Sequence, residues 1–218
     1  DVEKFWETGL LDPPSNVQFG EGGAGTFSDG KLNTVVKDPS GRNQFVLETF
    51  VHYGAPEEIT YENKPHIGTD VLSQVIGNMR KDLIAKGAEF HFESCVKDLV
   101  IENGRIAAVV TEEETYPASA VILALGHSAR DTFEMLDAKK EIPMEVKNFA
   151  VGFRVEHPQT MIDTIMYGDY KGAKLPASPY KVTSNFPNGR GVYSFCMCPG
   201  GYVVNASSEE GRSCVNGM

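Results

Sequence analysis

The sequence predicts a mixed α/β fold, with helices and strands alternating along one chain of 218 residues. Apolar residues recur at helical spacing between residues 71 and 84, which is typical of an amphipathic helix. Two alternating apolar runs flank Asn103-Gly104, a dipeptide that favours a tight hairpin turn. A continuous apolar run over residues 119–125 is typical of a strand buried on both faces. Together these patterns predict a fold in which helices pack on sheets.

The composition is that of an ordinary globular protein, with 41% hydrophobic and 23% charged residues. The formal net charge is −10 and the basic residues form no cluster. That balance argues against nucleic acid or an anionic membrane surface as the main partner. No apolar run is long enough for a transmembrane helix.

The cysteines and histidines predict no metal site and no disulfide framework. The histidines are scattered, and the cysteine spacing suits neither zinc nor paired bridges. Reduced thiols in a cytoplasmic protein are the simplest interpretation. On a strand, Cys196 and Cys198 would lie on one face, where packing is favoured over a redox pair because the C-x-x-C spacing is absent. The other two cysteines are Cys95 and Cys214.

A glycine-rich segment is the first candidate binding element. Four glycines fall between Gly20 and Gly25, and small polar residues and Lys31 follow. Glycine costs backbone entropy, so a cluster indicates positive φ or a close approach of backbone to a ligand. Backbone N–H groups could line an anion site, to which Thr26, Ser28 and Lys31 would add donors and positive charge. We therefore expect a loop around a phosphorylated or dinucleotide ligand, with a flexible surface loop as the alternative.

The segment matches G-x-G-x-x-G only formally. That fingerprint requires a strand before it and a helix starting within it, in one βαβ unit. Residues 16–19 make a poor buried strand, and Ser28-Asp29-Gly30 breaks helices. We therefore reject a dinucleotide fingerprint at this position.

Helices are predicted at residues 2–6, at 43–53 before Gly54, and after the compact loop at 64–70. In the third helix, Thr69 or Asp70 would be the N-cap, and Gly87 would follow the end. Its apolar face is formed by Val71, Leu72, Val75, Ile76, Met79, Leu83 and Ile84.

Strands are predicted at residues 88–92, 96–101, 105–111 and 119–125. The last strand ends on Gly126, and Ser128-x-x-Asp131 is a capping-box pattern that opens a helix. The carboxyl end of a buried strand beside a helix N-terminus is a favourable place for the phosphate or ring of a ligand.

A second region begins near residue 140. Its apolar residues alternate over 149–155, which predicts a half-buried strand, and Pro158 suits the first position of a helix. Further strands are predicted at 180–185, 191–198 and 202–206.

Residues 87–111 and 119–136 resemble the second half of the FAD-binding domain of glutathione-reductase-like flavoproteins. The resemblance implies that a β-meander crosses over this domain and that the buried strand ends near the flavin nucleotide at Ala124-Leu125-Gly126. It also implies that the backbone of Val96 meets the adenine and that His127 touches the cofactor through its backbone.

Three longer motifs are similar to those of bacterial FAD-dependent, NAD-utilising dehydrogenases. They are NVQFGEGGAGTFSDGKL at 16–32, KPHIGTD at 64–70 and GVYSFCMCPGGYVVNASSEEG at 191–211. In that family the glycine-rich segment lies along FAD. The resemblance therefore implies cofactor contacts at Gly22, Gly23, Ala24, Gly25, Thr26, Ser28, Asp29, Gly30 and Lys31.

The resemblance also implies a domain division. Residues 1–139 would form a partial FAD-binding domain, and residues 140–218 part of an inserted, β-rich substrate domain. The family's amino-terminal βαβ unit is absent, the chain begins at Asp1, and no stop signal precedes Met218. We therefore expect an internal fragment of a larger flavoprotein that binds FAD weakly or not at all by itself and is inactive alone.

The function implied is that of an FAD-dependent oxidoreductase, passing reducing equivalents between NAD(P)H or another donor and an unknown small molecule. Lys31 could place positive charge near the flavin, and His66 could be an acid–base or substrate contact; a solvated lysine and a structural histidine are the alternatives. A non-enzymatic FAD- or nucleotide-binding sensor and an RNA-modifying flavoprotein are the other functions considered. The acidic net charge argues against the latter, and the sequence does not determine the oligomeric state.

Overall fold

The computed structural model describes residues 1–18, 20–27, 32, 37–62, 65, 67–169, 174–194, 197 and 199–217. Contacts divide these residues into two compact units. Unit 1 consists mainly of residues 1–17 and 152–217, and unit 2 mainly of residues 18–26 and 37–151. The predicted FAD-binding and substrate domains stay predictions, because a grouping by contacts does not test what each part of the chain binds.

Five α-helices form in the described part of the chain. They are α1 (Val2–Thr8), α2 (Arg42–His52), α3 (Thr69–Ala85), α4 (Arg130–Asp137) and α5 (Gln159–Tyr167). Gly9 follows α1 with a φ of 75°, and Gly87 lies two residues beyond α3 with a φ of 93°. Left-handed backbone is accessible to glycine and ends a helix. The helices predicted at 2–6, 43–53 and 71–84 are confirmed.

Seven strands form three antiparallel sheets among the described residues. The first sheet has the order β1 (Val96–Glu102), β2 (Arg105–Thr111), β3 (Thr115–Pro117). The others are the pairs β4 (Thr183–Asn185) with β5 (Gly191–Tyr193), and β6 (Val203–Asn205) with β7 (Val215–Gly217). Helices and strands together confirm the mixed α/β class.

The turn between β1 and β2 forms where the sequence predicts it. Asn103 and Gly104 both have positive φ, at 52° and 73°, which matches the right-handed twist of the flanking strands. Glu102 pairs with Arg105 across the turn, and Leu99 is buried in the middle of β1. The predicted hairpin is confirmed.

Three predicted strands are wrong. No strand is assigned at residues 88–92, 119–125 or 149–155, all of which are described. The run predicted to be buried on both faces contains no buried residue, and Ile122 is 92% exposed. Phe149 is likewise 84% exposed. A strand forms only when a neighbouring strand accepts and donates its backbone hydrogen bonds. An apolar sequence pattern indicates a segment suited to a buried strand, but it does not show that such a neighbour is present.

The predicted amino-terminal ends of three helices are also wrong, whereas Gly87 follows the end of α3 as predicted. The N-cap of α3 is Gly68, so Thr69 and Asp70 lie inside the first turn. The N-cap of α4 is Ala129, and Ser128 makes a different hydrogen bond. Pro158 lies at the N-cap of α5, one position before the one predicted.

In the described part of the chain, no helix has the length and apolar character needed to cross a membrane. Cys95 and Cys214 are exposed, free thiols, whereas Cys196 and Cys198 lie outside the described residues. Among the described residues, no three histidine, cysteine, aspartate or glutamate side chains lie together in a group that could hold a metal ion.

Candidate functional site

Helix α3 is the element on which the glycine-rich turn of the candidate site packs. It contributes Leu72 and Val75 to a buried core, and Val75 is 0% exposed. Ala55, Ile59 and Ile67 complete that core. Full burial of a Val, Leu or Ile side chain stabilises a protein by about 1.5–3 kcal/mol. The packing therefore makes α3 a firm support for the segments that lie on it.

The glycine-rich segment folds into a compact turn. Gly20, Gly22 and Gly23 have φ values of 104°, 82° and 60°, and a 3-10 helix follows over Gly23–Phe27. The Gly23 N–H donates to the carbonyl oxygen of Gly20 at 3.0 Å. The Thr26 hydroxyl donates to the carbonyl oxygen of Gly23 at 2.9 Å, so its proton closes the turn. The glycines are needed for backbone geometry, as the sequence predicts.

The rejection of a dinucleotide fingerprint is confirmed by the local structure. Residues 13–18 form turns and bends, and a 3-10 helix occupies the place where the fingerprint needs an α-helix. The turn therefore cannot act as the strand-to-helix junction of a βαβ unit.

One side of the turn lies against α3. A Cβ placed on Gly22 would be 3.5 Å from Cγ1 of Ile76, and one placed on Gly25 would be 3.5 Å from Cδ2 of Leu72. The same Cβ on Gly22 would be only 2.5 Å from Cγ2 of Thr26. Both Gly22 and Gly25 therefore lie within ordinary contact distance of α3, and the tight space at Gly22 comes from Thr26 of the same turn.

The other side of the turn is open. A Cβ added at Gly20 or at Gly23 would meet no atom within 4 Å. An open, left-handed backbone gives a phosphate-bearing ligand room to approach N–H groups. This side of the turn therefore has room for a ligand, and cofactor binding by Gly22, Gly23, Gly25 and Thr26 stays a prediction.

The loop at 64–70 meets the end of the glycine-rich motif. The Leu32 N–H donates to the carbonyl oxygen of Pro65 at 2.9 Å. Pro65 and Ile67 are buried, and Ile67 leads directly into the start of α3. Two motifs that the sequence singles out separately are therefore joined at the amino-terminal end of one helix.

For several candidate residues of these motifs, contact with the cofactor stays a prediction. One of them, Ala24, belongs to the 3-10 helix. The other candidates lie outside the described residues, namely Ser28, Asp29, Gly30, Lys31 and His66. The candidate roles of Lys31 and His66 in catalysis are therefore neither supported nor contradicted.

The turn at Gly126 is tied to the same region. Gly126 is left-handed, with a φ of 70°, and both Ala124 and His127 are exposed. The hydroxyl of buried Ser128 donates to Oε1 of Gln18. Because Gln18 lies two residues before the first glycine of the glycine-rich turn, this bond links the two predicted cofactor-binding turns. Sequence reasoning had assigned Ser128 to a cap and had missed Gln18.

Val96, the predicted adenine contact, opens β1. It pairs with Thr111 at the far end of β2 and is half-buried. Its backbone is thus fixed by the sheet, and its contact with a cofactor stays a prediction.

An ion pair holds the glycine-rich turn to α3, and sequence reasoning missed it. Arg80 Nε lies 2.8 Å from Oε1 of Glu21. Arg80 follows Leu72 and Ile76 at intervals of four residues, so all three share one side of the helix. That spacing is the sequence feature from which the position of Arg80 beside the turn could have been predicted. It identifies the side of α3 that receives the turn.

A second cluster ties the carboxyl-terminal half of α3 to α2. The Tyr53 hydroxyl and the Lys86 ammonium each donate to Oδ2 of Asp82 at 2.5 Å. The bond from Lys86, followed by the bond from Tyr53, holds the pKa of Asp82 below its ordinary value. The bond to Asp82 in turn raises the pKa of Tyr53 and of Lys86. Asn78 also donates to the carbonyl oxygen of Tyr53 at 3.0 Å, which strengthens this junction.

In unit 1, the first helix is bound to the carboxyl-terminal motif. Trp6 Nε1 donates to the carbonyl oxygen of Asn205 at 2.9 Å. The Asn205 side chain accepts from the Ser207 hydroxyl at 2.6 Å. The Val203 N–H donates to Oε1 of Glu156 at 2.5 Å. These bonds fix the β6 region within its own unit.

Comparisons with known proteins match part of this chain to one family model and the whole chain to part of one relative. Residues 148–218 match the family described as FAD-dependent protein, C-terminal domain-like. A Clostridium beijerinckii protein described as an uncharacterized protein is 48% identical to this chain over 219 residues. That alignment covers 100% of this chain and 40% of the relative, so the chain spans less than half of the relative's length.

The family match supports an FAD-dependent protein family and FAD as the cofactor. It falls on the carboxyl-terminal region, whereas the glycine-rich turn and α3 lie earlier in the chain. The match and the turn geometry are therefore separate observations. The glutathione-reductase-like fold, the oxidoreductase activity and the nicotinamide donor stay predictions.

Proposed function

We propose that this chain is part of an FAD-dependent oxidoreductase and that its glycine-rich turn lies along the diphosphate of FAD. The observation that carries the proposal is the turn itself. Gly20, Gly22 and Gly23 are left-handed, Cβ atoms added at Gly20 or Gly23 would meet open space, and Gly22 and Gly25 lie in contact with α3. The family match at 148–218 favours FAD over other phosphorylated ligands.

The residues of the chain would bind and orient the cofactor. When bound, the flavin supplies hydride-transfer chemistry. The backbone of Gly20 would face the phosphates, because a Cβ added there would meet no atom within 4 Å, whereas the Gly23 N–H already donates within the turn. The turn at Gly126 would lie beside the same cofactor, since the Ser128–Gln18 bond joins it to the glycine-rich turn.

The electron donor and the substrate belong to the same proposal. We propose that a nicotinamide cofactor or another donor reduces the flavin and that a small molecule is the second substrate. Lys31 would place positive charge near the flavin, and His66 would contact the substrate or transfer a proton. The cytoplasmic location is proposed with them.

Binding of FAD tests the cofactor assignment. The samples are the 218-residue chain and a chimera in which this chain replaces the aligned 219 residues of the longer Clostridium beijerinckii protein. We expect weak or no binding by the chain alone and one bound FAD in the chimera, measured by flavin absorbance after gel filtration. A chimera that folds but stays colourless contradicts FAD dependence. A fully yellow chain contradicts the weak binding expected of it.

Two glycine substitutions in the chimera locate the FAD. Gly23 and Gly41 are both left-handed, at φ 60° and 70°, and both face open space. Gly23→Asp would place a carboxylate beside the phosphates, whereas Gly41→Asp lies outside the turn. We expect a loss of FAD affinity of at least about tenfold for the first variant only, because like charges repel in a partly desolvated site. Equal FAD affinities of the two variants would contradict the placement of FAD beside the glycine-rich turn.

Reduction of the bound flavin separates an enzyme from a sensor. NADH and NADPH are added anaerobically to the loaded chimera, and flavin absorbance is followed. Bleaching by either donor supports the oxidoreductase. A bound flavin that neither donor reduces, and that other donors also leave oxidised, favours the non-enzymatic sensor.

A further inference from the structure

The glycine-rich turn carries a negative charge at the point where an anion would approach it. Glu21 lies between Gly20 and Gly22, in the part of the turn where the backbone is left-handed. An unpaired carboxylate at this point would repel a phosphate. A turn built to bind an anion therefore needs this charge to be neutralised or held away from the ligand.

Arg80 pairs with this carboxylate and so offers both neutralisation of its charge and a hold on its position. Its Nε atom lies 2.8 Å from Oε1 of Glu21, and the two side chains are 33% and 34% exposed. Its guanidinium carbon also lies 5.6 Å from the centre of the Phe92 ring, within the range of a cation–π contact. Arg80 is thus fixed by the ring as well as by the carboxylate, which reduces the entropy it loses on pairing.

The backbones around Arg80 and Glu21 differ in conformational freedom. Arg80 belongs to α3, whose Val75 is fully buried in the core. Glu21 belongs to a segment with glycine on both sides, which has many backbone conformations available when it is unrestrained. Pairing therefore restrains the turn and leaves the helix unchanged.

We propose that Arg80 is a positioning residue for the cofactor site, which holds Glu21 against α3 and so presents the open side of the glycine-rich turn to FAD. The role as a positioning residue rests on the proposed function. The restraint of the turn by Arg80 does not, and it can be measured without FAD.

The first measurement uses the 218-residue chain without ligand. Hydrogen exchange of the amides of Gly22, Gly23 and Gly25 is compared in the wild type, Arg80→Gln and Glu21→Gln. Both variants should exchange about fivefold faster at these amides, which corresponds to an ion pair at the upper end of the exposed range. Lys86→Gln breaks a different ion pair of α3, with Asp82, and should leave these amides unchanged. Unchanged exchange in Arg80→Gln overturns the restraint.

The second measurement uses the FAD-binding chimera. Arg80→Gln should weaken FAD binding about fivefold, and the charge-exchanged pair Glu21→Arg with Arg80→Glu should recover at least half of that loss. Recovery by charge exchange would show that the ion pair, and not the contact of Arg80 with Phe92, supports FAD binding. Equal FAD affinity in the wild type and Arg80→Gln overturns the positioning role while the proposed function stands. If no variant and no wild type binds FAD, the proposed function and the positioning role both fail, whereas the restraint stands on the exchange data.

Discussion

At the scale of single residues, the glycine-rich turn uses its glycines in two different ways. Gly23 needs a left-handed backbone, at a φ of 60°, but has free space around it. Gly22 needs a left-handed backbone, at a φ of 82°, and also has the side chain of Thr26 in the place of a Cβ. The glycines were predictable from composition, but this distinction depends on the fold around them.

Alanine substitutions separate the two requirements. Gly23→Ala should lower the free energy of unfolding by about 1–2 kcal/mol, the cost of a left-handed L-residue. Gly22→Ala should lower it by more, because its Cβ would lie 2.5 Å from Cγ2 of Thr26. Urea unfolding followed by far-ultraviolet circular dichroism measures both. Equal losses would mean that Thr26 moves aside without cost.

The ion pair between Arg80 and Glu21 marks the limit of residue-level prediction. The two residues are 59 positions apart in the chain. Charges are common on helix surfaces, and no local pattern says which of them will meet a partner from a distant loop. The helical spacing of Leu72, Ile76 and Arg80 gave the direction of the side chain but not its partner.

At the scale of elements, local signals predicted the hairpin turn and the helix interiors but not the amino-terminal caps. The Asn103-Gly104 turn and the apolar stripe of α3 each depend on residues close in sequence, and both formed as predicted. The N-cap of α3 did not form as predicted, although Thr69 and Asp70 are good caps. Ile67 is buried in the core, and the chain therefore enters the helix at Gly68, one residue earlier than propensity suggests.

The junction of α2 and α3 should depend on pH through Asp82. Its pKa lies below the ordinary value of 3.8 because Lys86 and Tyr53 donate to it in the folded state. A lowered carboxyl pKa stabilises the fold above pH 3.8, and that stabilisation is lost as the pH falls through the folded-state pKa. The difference in unfolding free energy between wild type and Asp82→Asn should therefore shrink below pH 3.8.

Urea unfolding at a series of pH values measures this difference. Tyr53→Phe is the matched comparison, because it removes one of the two donors and keeps the bond from Lys86. Its pH-dependent difference from wild type should be smaller than that of Asp82→Asn. Curves for wild type and Asp82→Asn that stay parallel from neutral pH to below pH 3.8 would contradict the role of this cluster.

At the scale of the whole molecule, the exposed apolar segments are the main departure from the sequence-based prediction. The runs at 119–125 and 149–155 have strand patterns, and Ile122, Phe149 and Phe153 are 92%, 84% and 89% exposed. A sequence pattern states which residues would be buried in a sheet. It cannot state whether the neighbouring strands belong to the same stretch of chain.

Hydrogen exchange tests whether these runs become strands in a longer polypeptide. In the 218-residue chain, the amides of residues 121–125 should exchange almost as fast as in an unfolded peptide. In the chimera with the longer relative they should be protected at least about a hundredfold, because amides in central strands open only with large parts of the fold. The amides of β1, already paired with β2, serve as the internal reference. Equal exchange of 121–125 in both proteins would contradict a strand.

The hydrogen bond between Trp6 and Asn205 has an optical consequence. Trp6 is the one tryptophan of the sequence, and both partners belong to unit 1. Fluorescence excited at the red edge of indole absorption therefore reports the state of unit 1, while circular dichroism at helical wavelengths also records α2, α3 and α4 of unit 2. If the two units melt separately, the two signals will have different midpoints in the same titration. The single tryptophan thus allows a measurement, without any added label, of whether the two units unfold together or separately.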